Sequence, residues 1–511
     1  MNTAPKTPPH VGRASDLSGR DRVLYRAFEI LPGALSWGTI LLCVILSWWA
    51  PVAAALFIIA FDFYWLLKTV YLSMYLRQNW RRIKHNRALD WSAMLSSLKH
   101  EHVYHIVLLP FYKEGEDVVD KCLEHLVESR FDLKKMLVVL AAEERAGQPA
   151  RDLALAMEDK YRGIFGAVRT TVHPKDVPGE MAGKGSNISY ALEQARIHIL
   201  DERNIPYENV VVSAFDIDTN VYRQYFACLT WHFLTSEHPY RTSFQPVPLY
   251  NNNMWDAPAL SRVVAVSGTF WQMIQQERPE KLATFSSHSV PFKTLYEIGY
   301  WQKNMVSEDS RIFWNAFLAH DGNYVVTPLS YPISLDANLA PSFWQTMKNI
   351  YKQQRRWAWG VENVPYIMYG LVKNKHISWW KKVRVVGTQL EGFWSLATNP
   401  IVIFMLGWLP LIMGGPEFNT TILSYNLPFV TRNLMILAMC GLVISAIIST
   451  NFLPERPHKK SRFVFVFMIV QWVFIPITII VFGAIPGLDA QTRLMFGRYM
   501  GFWVTPKHRV K

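Results

Sequence analysis

The sequence predicts an α/β domain flanked by membrane-spanning helices. Three observations support this fold class: an almost continuous apolar run from Leu35 to about Tyr75, alternating strand-like and helix-like segments between residues 100 and roughly 380, and apolar runs that return after residue 387. Alternating strands and helices are typical of a mostly parallel sheet with helices on its faces. About 20 apolar residues suffice for one transmembrane helix.

The N-terminal apolar run predicts a helical hairpin that stays in the membrane. Residues 1–30 form a polar, arginine-containing tail without the pattern of a cleavable signal peptide, and the run at 31–76 has room for two spans broken at Pro51. Basic residues flank both ends, so the positive-inside rule places both ends, and the domain that follows, in the cytoplasm. Asp62 lies within the second span, and we expect it to face protein or a polar cavity.

The α/β domain is predicted at residues 100–365. Its apolar strands are placed at 105–109, 136–141, 210–215 and 263–267. A polar cluster follows each of them: Tyr112-Lys113-Glu114, Glu143-Glu144-Arg145, Asp216-Ile217-Asp218 and Gly268-Thr269. Ligands of open α/β sheets bind outside the carboxyl ends of the strands, so we expect these clusters to converge on one crevice.

The C-terminal third is predicted to return to the membrane. It divides into an interfacial amphipathic segment at 366–386, transmembrane helices within 387–486, from apolar runs at about 387–415, 433–453 and 463–486, and a basic tail at 487–511. Counting these spans puts the C-terminus outside, whereas the basic tail predicts the cytoplasm. Either one run is not a simple span, for which the first, containing Pro400 and Pro410, is the candidate, or an additional interfacial helix is present. The protein is expected to be multi-pass in a plasma or inner membrane.

Charge and cysteine usage narrow the possible partners. The formal net charge of +13 suits anionic lipid or a phosphorylated substrate, and no basic stripe interleaved with stacking aromatics indicates nucleic acid. The four cysteines are far apart and lack metal-ligand spacing, so we expect them to be reduced and structural.

Two acidic pairs are candidates for chemistry. Asp216 and Asp218 follow a buried strand, where Mg²⁺ or Mn²⁺ could bridge them to a diphosphate, although such a pair is also common in a solvated turn. Glu308 and Asp309 open a helical segment that Ser307 could cap. They could supply a general base, with Asp309 preferred, or only complement the helix dipole.

A basic and aromatic segment, Gln353-Gln354-Arg355-Arg356-Trp357, precedes the C-terminal apolar runs. Arg356 could chelate phosphate oxygens and Trp357 could stack on a sugar ring, whereas the alternative is an interfacial helix beside the membrane. Lys184, between Gly183 and Gly185, could reach a phosphate, or the glycines could form only a turn before a helix that starts near Ser186. The segment 267–272 could line the acceptor side.

In this order, these motifs resemble those of family 2 membrane glycosyltransferases, which have a GT-A fold and include cellulose, chitin and hyaluronan synthases. The resemblance covers roughly residues 100–360, and the last pentapeptide matches the family's Q-x-x-R-W signature. The chain departs from the family at Lys113, where Asn is usual, at Glu143-Glu144, where the acidic pair is usually aspartate, and at Ser307, where Thr is usual. The acidic-pair change bears on which nucleobase is bound.

The resemblance implies a role for each matching residue. Donor binding is implied for Tyr112, Glu114, Glu143, Lys184, Asp216, Gln353 and Arg356. Metal binding is implied for Asp216 and Asp218, catalysis for Asp309 and Glu308, and acceptor binding for Trp357.

The expected function is that of a membrane-bound inverting glycosyltransferase. It would move a hexosyl-type sugar from a nucleoside-diphosphate donor to a growing polysaccharide or a lipid, with Mg²⁺ or Mn²⁺ as cofactor. Q-x-x-R-W favours polymerisation in this family, but about five spans make a small channel, so both acceptors stay open. The alternative from another class is a membrane transporter or scaffold that binds nucleotide without turnover.

Overall fold

The computed structural model describes residues 8–403, 407–455 and 463–508, without the side chains at 439–440 and 442–446. The basic stretch 458–462 between the last two apolar runs, the Cys440 side chain and the last three residues lie outside the described residues. The other three cysteines are buried and are not joined in a disulfide bond.

The N-terminal apolar run forms the predicted hairpin. Its helices, α1 (Gly19–Trp49) and α2 (Pro51–Ala88), meet at Ala50, and Pro51 occupies the first turn of α2, where a missing N–H costs no helical hydrogen bond. Both helices are long and apolar enough to cross a membrane, as is Val464–Met495, and these are the three such helices found among the described residues. Asp62 is 5% exposed and therefore faces protein, as predicted.

A mixed sheet forms the centre of the domain. Its strands within the described residues are β1 (Tyr104–Pro110), β2 (Met136–Glu143), β3 (Ala167–His173), β4 (Val210–Ala214), β5 (Asn220–Val221), β6 (Thr242–Tyr250), β7 (His288–Pro291) and β8 (Val325–Leu335). They lie in the order β3-β2-β1-β4-β7-β6-β8-β5. The first four in this order run parallel to one another, while β7 runs antiparallel to both β4 and β6. The prediction of an α/β domain is confirmed, but the sheet is mixed, and only its β1 to β4 part is uniformly parallel.

The central strands are apolar throughout because both of their faces are covered. In β1, Ile106 and Leu108 pack into one hydrophobic layer, and Val107 and Leu109 pack into the other. A strand buried on both faces reads as a continuous apolar run, which explains why β1, β2 and β4 were recognisable at 105–109, 136–141 and 210–215.

Helices cover both faces of the sheet. They are α3 (Trp91–Leu95), α4 (Glu116–Val127), α5 (Gln148–Lys160), α6 (Lys184–Ala195), α7 (Tyr225–Thr235), α8 (Ala259–Gln276), α9 (Phe292–Ile298), α10 (Glu308–Ala319), α11 (Phe343–Ala358) and α12 (Asn363–Lys373).

The predicted strand at 263–267 is wrong, because these residues lie inside α8. Val263, Phe270, Met273 and Ile274 are buried at helical spacing, and α8 packs between β6 and α2. A short apolar run does not distinguish a buried strand from a buried helix, so the periodicity of the longer window decides. The segment 267–272 is accordingly the middle of a helix and not a strand end.

The C-terminal third is helical but irregular. Its helices are α13 (Trp379–Ile401), α14 (Leu409–Met413), α15 (Gly415–Asn419), α16 (Ile422–Thr450), α17 (Val464–Val470), α18 (Ile475–Ile479) and α19 (Ile485–Met495). Within the predicted interfacial segment, α12 is largely buried, whereas Trp379 and Trp380 are 70% and 78% exposed at the start of α13. The number of membrane crossings in this region stays a prediction.

Arg311 connects the N-terminal segment to the domain. Its buried guanidinium donates to Oδ1 of Asn363 at 2.7 Å, to the carbonyl oxygen of Val11 at 3.0 Å and to Oε1 of Gln302 at 2.9 Å. It also lies 3.8 Å from the centre of the Tyr366 ring. Arg311 therefore stabilises the contact between residues before α1 and helices α10 and α12.

We expect Arg311→Met to lower the free energy of unfolding by at least ~3 kcal/mol, because several buried acceptors would lose their donor. Thermal melting in detergent measures the effect. Arg203→Met is the matched control, since Arg203 is exposed and donates to the carbonyl oxygen of Gly166 at the surface. Equal melting temperatures for the two variants would contradict the role given to Arg311.

Candidate functional site

The candidate site lies along the carboxyl-terminal edge of β1, β2 and β4. These neighbouring strands run parallel, so the loops that follow them begin at the same edge of the sheet. Tyr112 lies in the loop after β1, Glu143 ends β2, and Asp216 lies in the loop after β4. Three of the four predicted polar clusters therefore share one edge, as the sequence predicts.

Lys184 brings two of the predicted carboxylates together. Its Nζ donates to Oδ1 of Asp216 at 2.7 Å and lies 3.0 Å from Oδ1 of Asp309. Burial acts to lower the pKa of Lys184, but Asp216, Asp309 and Glu308 outweigh burial and raise it. Burial acts to raise the pKa of Asp216, but Lys184 and Lys507 outweigh it and hold that pKa well below its usual range. Lys184 and Asp216 are therefore a charged pair at neutral pH.

The glycines around Lys184 allow close packing of the backbone. A Cβ on Gly183 would lie 2.7 Å from Cγ of Phe502, and one on Gly185 would lie 2.9 Å from the carbonyl oxygen of Gln302. Helix α6 begins at Lys184 itself, two residues before the predicted start. The glycines thus serve close packing as well as the turn that precedes the helix.

The C-terminal tail reaches the second carboxylate of the D-x-D pair. Nζ of Lys507 donates to Oδ2 of Asp218 at 2.6 Å, and the backbone N–H of Asp336 donates to the same oxygen at 2.9 Å. Asp218 is fully buried, and its Oδ1 has no hydrogen-bond partner. Burial raises the pKa of Asp218, although Lys507 opposes this effect. Sequence reasoning missed Lys507 as a site residue, because 289 residues separate it from Asp218 and basic tails are common.

Asp216 and Asp218 fit a divalent cation, but they do not enclose one. Their oxygens are the ligands that Mg²⁺ and Mn²⁺ prefer, and the unpartnered Oδ1 of Asp218 is an acceptor that a cation would satisfy. Among the described residues, no group of three or more His, Cys, Asp and Glu side chains could hold a metal ion. The chain would therefore supply two carboxylates and need further ligands from a substrate. A cation bound at Asp218 would take over the charge that Lys507 now neutralises.

A segment that the sequence did not single out holds the acidic loops in place. The Ser286 hydroxyl donates to Oδ2 of Asp216, and the backbone N–H of Asp216 donates to Oγ of Ser287 at 3.3 Å. Thr284 Oγ1 donates to the backbone carbonyl of Asp309 at 2.6 Å. Ser287 has a φ of 63°, a left-handed conformation that is uncommon for serine. The residues just before β7 thus connect the D-x-D loop to the start of α10.

Glu308 and Asp309 have different environments at the start of α10. Glu308 is 2% exposed, and burial followed by the charge of Asp309 raises its pKa. The Asp309 side chain is 22% exposed and contacts Lys184. Of the two predicted catalytic residues, only Asp309 is therefore open to a substrate. Ser307 is the N-cap residue, as predicted, but its hydroxyl does not bond to the helix, and its backbone N–H donates to Oε1 of Glu362 at 2.7 Å.

The Q-x-x-R-W segment forms the last turns of α11. Arg355 donates to Oδ2 of Asp489 on α19 at 2.9 Å, so this arginine ties the helix to the C-terminal region. The neighbouring Arg356 lies 5.1 Å from the Phe502 ring centre, and its buried Nε has no hydrogen-bond partner. Trp344, at the start of α11, is 79% exposed and fits an interfacial position. The helix therefore has an exposed aromatic start and an end that packs at the site.

Tyr250 is a second site residue that the sequence did not reveal. Its ring lies 5.8 Å from the Trp357 ring, and a Cβ on Gly268 would lie 3.6 Å from Cε2 of Tyr250. A small cavity beside this pair is also lined by Gln353 and Asp336. Gly268, in the helical segment 267–272, lies beside both rings, but no residue of that segment lines the cavity. Burial is the main reason that the pKa of Tyr250 is raised; the charges of Asp216, Asp218 and Asp309 raise it further, and Arg356 opposes them.

The loops after β1 and β2 are joined through an arginine. Nη2 of Arg145 donates to Oε1 of Glu143 at 3.0 Å, and the Arg145 guanidinium lies 4.6 Å from the Tyr112 ring centre. The Glu114 carboxylate accepts the backbone N–H groups of Tyr112 and Lys113 at 2.7 and 3.1 Å. Glu114 therefore shapes its own loop, and Glu143 is already engaged by a cation.

We expect Glu308→Gln to change stability in a pH-dependent way. The pKa of Glu308 is raised in the folded protein, so the protonated carboxyl stabilises the fold. This stabilisation is lost as the pH rises from about 4.3, the pKa of glutamate in the unfolded chain, through the pKa in the folded protein. Glutamine mimics the protonated form, so the melting temperature of the variant minus that of the wild type should increase with pH. Glu237→Gln, at a 91% exposed side chain, should show no such trend. A constant difference between pH 5 and pH 9 would contradict the burial argument.

Comparison with known proteins gives only distant similarities. No protein-family model and no curated protein matches the sequence. Among solved structures, a mannosyltransferase from Pyrobaculum calidifontis in complex with GDP-Man and Mn²⁺ is similar over 77% of this chain and 99% of its own, with a TM-score of 0.42 and 13% identity. Residues 1–349 of S. aureus TarS are similar over 68% of this chain and 91% of their own, with a TM-score of 0.36 and 11% identity. At these values the likeness assigns the chain neither a family nor a function.

Proposed function

We propose that the chain is a membrane-bound glycosyltransferase of the GT-A fold, related to the family 2 enzymes that carry Q-x-x-R-W. It moves a sugar from a nucleoside-diphosphate donor to a hydroxyl group of a polysaccharide or a lipid. The observation that carries this proposal is the contact of Lys184 with both Asp216 and Asp309. The ammonium of Lys184 thus lies between Asp216, the carboxylate proposed to bind the donor, and Asp309, the carboxylate proposed to act on the acceptor.

Asp309 acts as the general base in this proposal. It takes the proton of the acceptor hydroxyl, and the acceptor oxygen forms a bond to the anomeric carbon. The bond between that carbon and the diphosphate oxygen breaks, and the electron pair leaves with the diphosphate. Attack from the face opposite the leaving group inverts the anomeric configuration. The exposure of Asp309 and the burial of Glu308 favour Asp309 for this role.

Cations stabilise the charge that grows on the leaving diphosphate. Lys184 and Arg356 carry positive charge on this side of the site, and the unpartnered Nε of Arg356 leaves a donor for a phosphate oxygen. Mg²⁺ or Mn²⁺, held by Asp216 and Asp218, would act as a Lewis acid on the diphosphate. The nucleobase end of the donor would lie by Tyr112 and the Glu143–Arg145 pair, where Arg145 adds N–H donors that the family's aspartate pair does not supply.

The acceptor lies on the side of Tyr250 and Trp357. Trp357 is 38% exposed, so part of its ring can meet a sugar face, and Gly268 leaves room beside the two rings. Gln353 lines the same cavity and offers a side-chain amide. A polysaccharide and a lipid carrying a hydroxyl both suit this arrangement, and product size distinguishes them. A ladder of long chains indicates polymerisation, whereas one lipid-soluble adduct indicates single transfer.

We expect purified protein in lipid to release a nucleoside diphosphate from one member of a panel of nucleotide sugars with Mg²⁺ or Mn²⁺. Asp309→Asn should lower sugar transfer by ~10² to 10⁴-fold, because it removes the general base, and should retain donor binding. Asp152→Asn, at an exposed carboxylate on α5, is the control and should transfer at the wild-type rate.

The rival reading is a transporter or scaffold that binds nucleotide without turnover. It predicts no nucleoside diphosphate from any donor and an unchanged physiological output for Asp309→Asn. Either result would overturn the enzyme proposal.

Arg356 and Trp357 should affect different substrates. Arg356→Ala should raise the donor KM and lower kcat, because the diphosphate loses a cationic hydrogen-bond donor. Trp357→Ala should mainly raise the acceptor KM. Steady-state kinetics with each substrate varied in turn measures both effects. Trp344→Ala, at the exposed start of the same helix, should change neither constant. Equal effects of the two variants on donor and acceptor would refute this division of roles.

A further inference from the structure

A buried histidine lies next to Asp309 and has no part in the reaction as described so far. His288, the first residue of β7, is 0% exposed, and its Nδ1 lies 3.7 Å from Oδ1 of Asp309. It follows the segment that joins the D-x-D loop to α10, and no motif in the sequence marks it as a site residue. A lone histidine in an apolar strand is more often a core residue than a functional one.

The partners of His288 determine which ring nitrogen carries the proton. Nε1 of Trp301 donates to Nε2 of His288 at 3.2 Å. An indole N–H can only donate, so Nε2 must be unprotonated. Nδ1 therefore carries the hydrogen and donates to the carbonyl oxygen of Phe285 at 2.7 Å. Burial lowers the pKa of His288, although Asp309 opposes this, and the ring is neutral.

The two oxygens of Asp309 are not equivalent. Oδ1 is buried without a hydrogen-bond partner and lies between Nζ of Lys184, at 3.0 Å, and Nδ1 of His288. Oδ2 accepts a hydrogen bond from Lys184 at 3.2 Å. Because the side chain is 22% exposed and Oδ1 is buried, Oδ2 is the oxygen that can meet an acceptor hydroxyl.

We propose that His288 is a positioning residue for Asp309: its ring, fixed by Trp301 and by the Phe285 carbonyl, places the polar Nδ1 edge 3.7 Å from Oδ1 and keeps that oxygen inward, so that Oδ2 faces the acceptor. This inference rests on the proposed function. The charged groups that face the ring are Asp309, Lys184 and Asp216. An imidazolium here would add a second positive charge beside Asp309 and weaken it as a base. Trp301 prevents this by occupying Nε2, so the ring supplies polarity without charge.

His288→Phe and His288→Asn separate positioning from packing. Phenylalanine fills the space without an N–H group, whereas the asparagine amide can donate where Nδ1 does. We expect His288→Phe to lower kcat about 10-fold, a part of the ~10² to 10⁴-fold worth of a general base, with the donor KM within about twofold of wild type. The acid limb of its pH–rate profile should move to higher pH, because the carboxylate loses a nearby partial positive charge. His288→Asn should recover most of kcat and the wild-type acid limb.

His105→Phe is the matched control for a purely structural histidine. His105 is also 0% exposed, lies on β1, and bonds through Nε2 to Oγ1 of Thr230 at 2.7 Å. It should lower the melting temperature without moving the acid limb. If His288→Phe does not fold, His288→Leu provides the same comparison.

The possible outcomes are distinct. A folded His288→Phe or His288→Leu with wild-type kcat and acid limb overturns the proposal, as does a rise in donor KM with kcat unchanged. Failure of His288→Asn to recover activity assigns the ring to packing and also overturns it. Absence of transfer by the wild-type protein from every donor is a different result, which removes the proposed function and this inference with it.

Discussion

Several carboxylates, of which Asp218 and Glu308 are buried, lie close together at the edge of the sheet. The ammonium of Lys184 is the group that most directly offsets their repulsion. Taking an ion out of water costs several kcal/mol even after relaxation, so such a cluster persists only if opposite charges lie within it. Lys184 lies within 3.0 Å of Asp216 and Asp309 and is itself almost fully buried. The close backbone approach that this requires depends on Gly183 and Gly185, where a side chain would collide with neighbouring segments. The position of α10 and of the D-x-D loop follows from the same contact.

The charge balance extends to both ends of the chain. Lys507 forms an ion pair with Asp218, as Lys184 does with Asp216. Lys507 belongs to the C-terminal tail, whose Phe502 packs against Gly183. The tail begins at contacts with the first helix: the Tyr499 hydroxyl donates to the buried carboxylate of Glu29 at 2.9 Å. The tail lies against the α/β domain, so the two stand on the same side of any membrane that the helices cross. A substrate diphosphate and its metal ion would bring charges of both signs into this site, where Lys184 and Lys507 now neutralise the carboxylates.

Much of the fold could be predicted from local patterns. Strands β1, β2 and β4 were recognisable because burial on both faces leaves no polar positions, and α1 and α2 because their apolar runs exceed the length of a span. The segment 263–267 was misassigned because four apolar residues fit a strand and a buried helix equally well. The correct assignment needed the wider pattern of α8, whose buried face continues to Ile274 and packs against α2.

The sequence by itself determined the polar clusters, their order and the strands that carry them, since each is a short pattern set by backbone geometry and burial. It therefore identified Lys184, Asp216, Asp309 and Arg356 as candidates for one site. Only the tertiary structure decided which charges face each other, that Glu308 is buried while Asp309 is open, and that Lys507, Ser286, His288 and Tyr250 complete the site. These partners come from segments far apart in the chain, and an ion pair or hydrogen bond acts over a few ångströms of space, whatever the separation in sequence.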